Sequence, residues 1–239
     1  MTELDPFNDK LLEGTSRSFY LTLKRLPKSV KGQIGLLYLL ARISDTIADS
    51  GDSGGEDLLE LLQDYNNRAQ GHSDSMPDFS NLSDVQENPA EGLLLRGAHG
   101  PIELLEKASV VDQELIRKCL DIIVSGQRMD LERFPDKDGS GIRSLSRYEE
   151  MDDYAYRVAG SVGEFWTEIC LEHAFEASAE MKEELMSSGV RFGKALQLIN
   201  ILRDIPEDLE IGRCYIPTDD LEKIGLSPDD LLHSDSIDI

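Results

Sequence analysis

The sequence predicts an all-α protein, on three observations. Most of the chain divides into segments whose apolar residues recur every three or four positions, as on one face of a helix. The alternation typical of strands is nearly absent, and no Asn-Gly hairpin signal occurs. No internal repeat of fixed period is present. At 239 residues, the chain is long enough to bury a sizeable core.

The predicted helices follow one another in order along the chain. Segments with helical periodicity are residues 29–48, 58–69, 92–107, 112–132, 148–172 and 177–202, the last as one or two helices. Residues 71–89 and 134–141 are rich in polar residues, proline and glycine, and we expect loops there. Pro101 lies near the start or at a kink of the third helix. Ser146, followed by Glu149 three residues later, predicts an N-cap with a capping box.

The charge balance argues against two classes of partner. Acidic residues outnumber basic ones by 47 to 24, and the formal net charge is -23. A nucleic-acid-binding protein needs a basic surface to neutralise phosphates, so we expect no nucleic-acid partner. An acidic protein is also not attracted to anionic lipids by charge alone. The excess is otherwise explained by a solvated surface that keeps the protein soluble.

The cysteines and the N-terminal residues predict a cytoplasmic protein. Cys119, Cys170 and Cys214 are scattered and odd in number, which argues against a disulfide framework. The four histidines show no metal-ligand spacing. Residues 1–6 lack the basic and apolar regions of a signal peptide, and no apolar run approaches the roughly 20 residues that span a bilayer.

A polar stripe runs along the first predicted helix. Tyr38, Arg42, Asp45 and Asp49 are spaced by four, three and four residues, and therefore share one helix face. Asp45 and Asp49 project side by side, one turn apart, with Arg42 one turn before them. Because the flanking residues are apolar, we expect the stripe to line a cleft.

A second stripe lies on the last predicted helix. Its members, spaced by three, four and four residues, are Gln197, Asn200, Asp204 and Asp208. Arg203 and Glu207 form another pair one turn apart. Pro206 removes one helix hydrogen bond, so we expect a kink or a helix end near the second carboxylate.

Two acidic stripes suit a metal site that holds a diphosphate. Magnesium takes about six hard oxygen ligands, typically one or two carboxylates together with phosphates and waters. Arg42, Arg203 and Arg213 can add charge-assisted hydrogen bonds, and a neutralised diphosphate is a competent leaving group. The alternative for any single DxxxD motif is a solvated acidic face. Two such motifs in apolar helices, each close to an arginine, are much less expected by chance.

Five blocks of sequence, in order, resemble the squalene and phytoene synthase family. They are SRSF at 16–19, YLLARISDTIAD at 38–49, GQRMD at 126–130, YAYRVAGSVG at 154–163, and NILRDIPED at 200–208 followed by GRCYIP at 212–217. The resemblance implies an all-α isoprenoid synthase (terpenoid synthase) helical bundle around a central cavity, with residues 1–239 as a single domain. Family members continue through further helices, so we expect this domain to be truncated at its C-terminal side and to lack its last helices.

The resemblance also implies roles for individual residues. The implied metal ligands are Asp45, Asp49, Asn200, Asp204, Glu207 and Asp208. The implied diphosphate contacts are Ser16, Arg17, Ser18, Tyr38, Arg42, Gln197, Arg203 and Arg213. Tyr154 matches the family's catalytic tyrosine, proposed to assist proton transfer during cyclopropane formation, and acts with Asp45, Asp49, Asp204 and Asp208.

Three features of the blocks are open to more than one interpretation. The small residues Ala159, Gly160, Ser161 and Gly163 leave room for a neighbouring helix, which is the commoner cause, or for a prenyl chain. Arg128 and Asp130 are either residues that support the site or an ordinary surface pair. Ser44 and Ala48 stand where many relatives carry a further acid, so metal binding at the first stripe depends more on Asp45 and Asp49.

The implied reaction joins two farnesyl or geranylgeranyl diphosphates head to head, with Mg2+ (or Mn2+) as cofactor. The leading interpretation is squalene synthesis from two farnesyl diphosphates through presqualene diphosphate, with NADPH as reductant, because residues 16–23 are nearer to the squalene branch. Residues 126–130 also resemble the phytoene branch, in which phytoene or dehydrosqualene forms by proton loss. A non-catalytic homologue generally loses the aspartates, which are present here, and a plain helical scaffold is the third alternative. An apolar product must leave into lipid, so we expect peripheral membrane contact.

Overall fold

The computed structural model describes residues 6–16, 19–51, 57–134 and 141–232, and the all-α prediction is confirmed. The helices are α1 Pro6–Ser16, α2 Phe19–Arg25, α3 Lys28–Ala48, α4 Leu58–Gln70, α5 Ser80–Val85, α6 Pro89–Arg96, α7 His99–Glu106, α8 Val110–Arg133, α9 Tyr148–Ala155, α10 Ser161–His173, α11 Ala179–Arg203, α12 Ile205–Glu210 and α13 Thr218–Lys223. A π-helical turn, Tyr156–Gly160, joins α9 to α10, and a 3₁₀ turn spans Pro228–Leu232. Within the described ranges, the β-structure is one parallel pair, β1 Arg143–Ser144 with β2 Arg213–Cys214.

Helix α3 forms the centre of the main core. It packs against α1, α4, α6, α7, α8 and α10. Its side chains Leu36, Leu39, Leu40, Ile43 and Ile47 are fully buried. Burial of these positions against neighbouring helices leaves the polar stripe as the less buried face of α3, and this fixes the direction in which the stripe points.

The region between α4 and α8 contains more helix than the sequence predicts. The expected loop at 71–89 contains α5, and Pro89 opens α6, where the Asn88 side chain caps the helix by accepting from Ala90 N at 3.0 Å. The prediction of one helix over 92–107 was wrong, because the chain breaks at residues 97–98 into α6 and α7. Pro101 lies in the first turn of α7, where its missing N–H leaves no bond unmade.

The predicted capping box at Ser146 was also wrong. The N-cap of α9 is Arg147, and the backbone N–H of Ser146 donates to Glu150 Oε2 at 2.7 Å. The cause is tertiary: Leu145 N donates to the carbonyl of Cys214, and Asp219 N donates to that of Ser146. These bonds hold the preceding residues extended, and α9 therefore begins one residue later.

The small residues of the fourth block bring two helices into close contact. A methyl group on Gly163 would lie 2.0 Å from the carbonyl oxygen of Gly189, and one on Gly193 would lie 2.2 Å from that of Ala159. The α10–α11 crossing therefore depends on glycine on both helices. Residues 179–203 form one helix, which ends at Arg203 as Pro206 enters the first turn of α12. The helix end expected near Asp208 therefore comes earlier, at Asp204.

Among the described helices, none is both long enough and apolar enough to cross a bilayer.

Candidate functional site

A cavity of about 490 Å³ lies between α3, α8, the end of α9 and α11. Its polar lining residues are Tyr38, Arg42, Asp45, Asp49, Gln127, Asp130, Tyr154, Gln197, Asn200 and Arg213. All four residues of the α3 stripe therefore line the same cavity as Gln197 and Asn200, which lie in the last turns of α11. Three carboxylates and two guanidinium groups share this lining, so the cavity is acidic before any ligand binds.

Arg42 links the first acidic pair to a neighbouring helix. Its Nη1 forms an ion pair with Asp45, three residues ahead on the same helix face. Its Nη2 lies 2.6 Å from Oε1 of Glu91 on α6, a residue that the sequence did not suggest. Asp45 keeps 41% of its side-chain surface accessible, so one side of the carboxylate stays open to the cavity.

The negative charges of Asp45 and Asp49 are only partly balanced by nearby positive charge. Desolvation, followed by repulsion from Asp45, raises the pKa of Asp49 to about 7, although the residue is exposed. Desolvation likewise raises the pKa of Asp45 despite the ion pair with Arg42. Carboxylates held this way favour the arrival of further positive charge.

The second stripe reaches the cavity only in part. Gln197 and Asn200 line it, and Asn200 Nδ2 donates to Gln197 Oε1 at 3.4 Å. Asp204 ends α11 and accepts from Nε and Nη2 of Arg203, both at 2.6 Å. Arg203 is not among the residues that line the cavity, and its side chain is 65% exposed.

The residues beyond Asp204 lie on α12. Glu207 is exposed, whereas Asp208 is half-buried. Desolvation and the nearby charges of Asp204 and Asp130 raise the pKa of Asp208 to about 6. Asp208 therefore belongs to the same electrostatic environment as the cavity without forming its wall.

The first sequence block is placed differently from the expectation for diphosphate contacts. Ser16 is buried, and its hydroxyl donates to the carbonyl of Leu12 in its own helix rather than pointing into the cavity. Arg17 and Ser18 lie outside the described residues. Tyr38 lines the cavity, and its hydroxyl donates to the carbonyl of Thr15 at 3.1 Å.

The α8 side of the cavity carries a polar cluster in which the sequence left Asp130 open between two interpretations and did not suggest Gln127 or Tyr215. Asp130 Oδ2 accepts from the Tyr215 hydroxyl at 2.6 Å and lies 3.3 Å from Arg213 Nη1. Tyr154 stacks on Tyr215 with ring centroids 4.9 Å apart and an interplanar angle of 19°. Burial raises the pKa of both phenols, which therefore stay neutral. Gln127 and Asp130 are three residues apart on α8, and this spacing was the available signal.

An apolar chamber of about 610 Å³ adjoins the polar cavity. Its apolar lining includes Phe19, Trp166, Phe192 and Leu196, and the two spaces share Val158, Val162, Gln197 and Asn200. A polar compartment next to an apolar one suits a ligand with a charged head and a hydrocarbon tail.

The donor set fits a hard divalent cation that is completed by ligand oxygens. Among the described residues, no group of three or more His, Cys, Asp or Glu side chains is arranged as a metal site. Magnesium does not require such a group, since it commonly uses one or two carboxylates with waters and phosphates. Asp45 and Asp49, open to the cavity, supply two carboxylates of the type it prefers.

Comparison with known proteins gives one consistent result. The squalene/phytoene synthase family model matches residues 12–238. The chain is 30% identical over 227 residues to a bifunctional lycopene cyclase/phytoene synthase of Gibberella fujikuroi, which covers 93% of this chain and 37% of that protein. It is also 30% identical over 222 residues to a 15-cis-phytoene synthase of Synechocystis sp., which covers 91% of this chain and 57% of that protein. The chain thus spans between about a third and somewhat over half of these relatives.

Solved structures show the same fold at lower sequence identity. TcSQS in complex with a ligand superposes with a TM-score of 0.69 at 21% identity, over 91% of this chain and 58% of that chain. The squalene synthase HpnC from Alicyclobacillus acidocaldarius gives a TM-score of 0.59 at 20% identity, over 94% of this chain and 70% of that chain.

Proposed function

We propose, since this chain belongs to the squalene/phytoene synthase family, that it acts in the head-to-head condensation of two prenyl diphosphates. The observation that carries the proposal is the acidic cavity that adjoins an apolar chamber. Farnesyl or geranylgeranyl diphosphate has the matching form, a multiply charged head on a hydrocarbon chain. A fully apolar ligand would leave the charged lining unpaired, and a small anion would leave the chamber empty.

Charge balance supports a metal-dependent reaction. The carboxylates that line the cavity already outnumber its guanidinium groups, so a diphosphate would bring repulsion unless cations accompanied it. We propose that Mg2+, or Mn2+ in its place, is held by Asp45, Asp49, Asn200, Asp204, Glu207 and Asp208. When bound, the metal neutralises the diphosphate and makes it a better leaving group.

The chain's own cations and polar groups would orient the diphosphate. Arg42 and Arg213 lie in the cavity wall, and each can turn donors toward an anion because guanidinium has five N–H groups. Tyr38 and Gln197 lie in the same wall. Contacts from Ser16, Arg17, Ser18 and Arg203 stay predictions, which require the segments that carry them to approach the bound head group.

Tyr154 would assist transfer of the proton that is lost in the condensation. The carbon–oxygen bond of one substrate breaks and diphosphate leaves. The double bond of the second substrate forms the new carbon–carbon bond, and loss of a proton closes a cyclopropane. Tyr154 lies in the cavity wall with a neutral hydroxyl, which would take up that proton only as it gives its own to an acceptor, and the released diphosphate supplies oxygens that can accept it.

Two products are compatible with this proposal. The first block of the sequence favours squalene, which requires hydride from NADPH. The relatives at 30% identity are named as phytoene synthases, which favours a second candidate, a product formed by proton loss without a reductant. Incubation of the purified chain with farnesyl or geranylgeranyl diphosphate, with and without NADPH, separates them by gas chromatography and mass spectrometry. Squalene that appears only with NADPH supports the first.

The metal assignment is tested by diphosphate release. We expect release to require Mg2+, to stop with EDTA, and to be mostly lost in Asp45→Asn and Asp204→Asn while circular dichroism stays unchanged. Asp74→Asn, a change at an exposed loop carboxylate, is the matched control and should behave like the parent. Near-normal turnover in both site variants would contradict the assignment. If the parent binds farnesyl thiodiphosphate but releases no diphosphate from farnesyl diphosphate, a non-catalytic homologue is favoured. If it does not bind the analogue, a plain scaffold is favoured.

A further inference from the structure

Asp130 connects helix α8 to Arg213 and Tyr215, the two residues on either side of Cys214. It lies near the end of α8 in the cavity wall, with 14% of its side-chain surface exposed. A single oxygen, Oδ2, receives both the Tyr215 hydroxyl and Nη1 of Arg213. The two donors follow one another at alternate positions in and after β2, so both side chains point to the same side of the strand, toward α8.

One donor has a proposed role itself, and the other packs against a residue that has one. Arg213 is a predicted diphosphate contact. Tyr215 packs between two rings: Phe134 meets its edge at 5.2 Å and 64°, and Tyr154 stacks on its face. Movement of the Tyr215 ring would therefore move the surface that supports Tyr154.

The segment that carries these donors has little regular structure, although other contacts also hold it: Tyr215 is buried, and the Ser144 hydroxyl donates to the carbonyl of Ile216 at 2.7 Å. Strand β2 has two residues and pairs in parallel with the two residues of β1. Tyr215 itself lies outside that pairing, just beyond Cys214. The short charge-assisted bond from Tyr215 to Asp130 adds a direct attachment of this segment to α8, a helix of 24 residues.

We propose that Asp130 is a positioning residue, which holds Arg213 directly and holds Tyr154 through Tyr215. This inference rests on the proposed function and assigns Asp130 no contact with the reacting atoms. The opposing possibility is that Asp130 is itself a metal ligand. The two differ in what the Mg2+ concentration for half-maximal activity should do.

Three variants separate the two attachments. Tyr215→Phe removes the hydroxyl but keeps the ring stack and the Arg213 pair, so we expect kcat to fall about tenfold with KM within about twofold of the parent. Asp130→Ala removes both attachments, so KM should rise about tenfold in addition to a larger loss of kcat. Asp130→Asn retains an oxygen that accepts from Tyr215, and it should restore much of kcat but not of KM. Glu114→Ala, at an exposed carboxylate of the same helix, is the matched control.

The double variant tests the linkage. If Tyr215 acts through Asp130, adding Tyr215→Phe to Asp130→Ala should lower kcat no further. The half-maximal Mg2+ concentration should stay within about twofold of the parent throughout. Additive losses in the double variant, or a Mg2+ requirement raised about tenfold or more in Asp130→Asn, would overturn the proposal while leaving the condensation reaction standing.

Near-UV circular dichroism and ligand binding cover the case in which the proposed function fails. If the parent releases no diphosphate, the positioning role is judged by the tyrosine signal of the stacked rings and by the Kd for farnesyl thiodiphosphate. We expect Asp130→Ala to change the signal and to raise that Kd about tenfold, with far-UV circular dichroism unchanged. An unchanged near-UV spectrum with an unchanged Kd would overturn the proposal.

Discussion

Replacement of Gly163 by alanine should destabilise the protein, although alanine is the better helix former. The added methyl carbon would lie 2.0 Å from the carbonyl oxygen of Gly189, where contacts under 3.0 Å are essentially never seen. The oxygen belongs to the backbone of α11 and cannot rotate away, so the helices must separate by about 1 Å. Overpacking of this kind costs about 1–3 kcal/mol, and a gap of that size forfeits a quarter to a half of the dispersion energy of facing atoms.

The helix-propensity gain opposes this cost but is smaller. Glycine to alanine within a helix contributes about 0.5–1 kcal/mol, so we expect a net loss of about 1–2 kcal/mol in the free energy of unfolding and a Tm lower by about 2–8 °C. Urea denaturation followed at 222 nm measures both. Gly100→Ala is the matched control, because its methyl would meet only the Asn8 side-chain amide, at 3.3 Å. A Gly163→Ala protein as stable as the parent would show that the close crossing does not constrain α11.

Two substitutions and one fluorescence measurement test other parts of the structure. His173→Ala should lower the free energy of unfolding by about 1–3 kcal/mol, since His173 Nε2 lies 2.6 Å from the fully buried carboxylate of Asp112; an unchanged urea midpoint would refute this. Trp166, the chain's one tryptophan, lines the apolar chamber, so farnesyl thiodiphosphate with Mg2+ should shift its emission to shorter wavelength, and the same shift with EDTA present would argue against metal-assisted binding. Arg203→Gln should leave the urea midpoint close to that of the parent because its pair with Asp204 is exposed, while a loss of turnover beyond about tenfold would support its predicted diphosphate contact.

The α3 half of the site could be predicted from sequence because its geometry is local. Tyr38, Arg42, Asp45 and Asp49 belong to one unbroken helix, so their spacing alone places them on one face. The apolar residues between them determine which face is buried. Nothing beyond the helical repeat and the hydrophobic pattern is needed to place this stripe in a cleft.

The rest of the site depends on contacts that spacing does not encode. Asp130 meets Arg213 and Tyr215 across 83 and 85 residues of sequence, and no local pattern relates them. The spacing of the second stripe is that of one helix, whereas α11 ends at Arg203, before the end expected near Asp208, and leaves Asp204 outside the regular face. Pro206 predicted a break in the helix. The direction in which each carboxylate then points depends on the packing of α12, which the sequence pattern does not give.

The two halves of the site therefore differ in how firmly they are held before a ligand arrives. Asp45 lies on a helix whose other faces are fully buried, and its ion pair with Arg42 is itself tied to Glu91 of α6. Asp204 is held by an exposed pair with its own neighbour, and such pairs contribute little to stability because water screens both charges. Exchanging that pair for contacts to a metal-bound head group costs little, whereas moving α3 would disrupt the core. For the condensation proposed, a bound diphosphate should draw the α11–α12 junction toward α3 rather than the reverse.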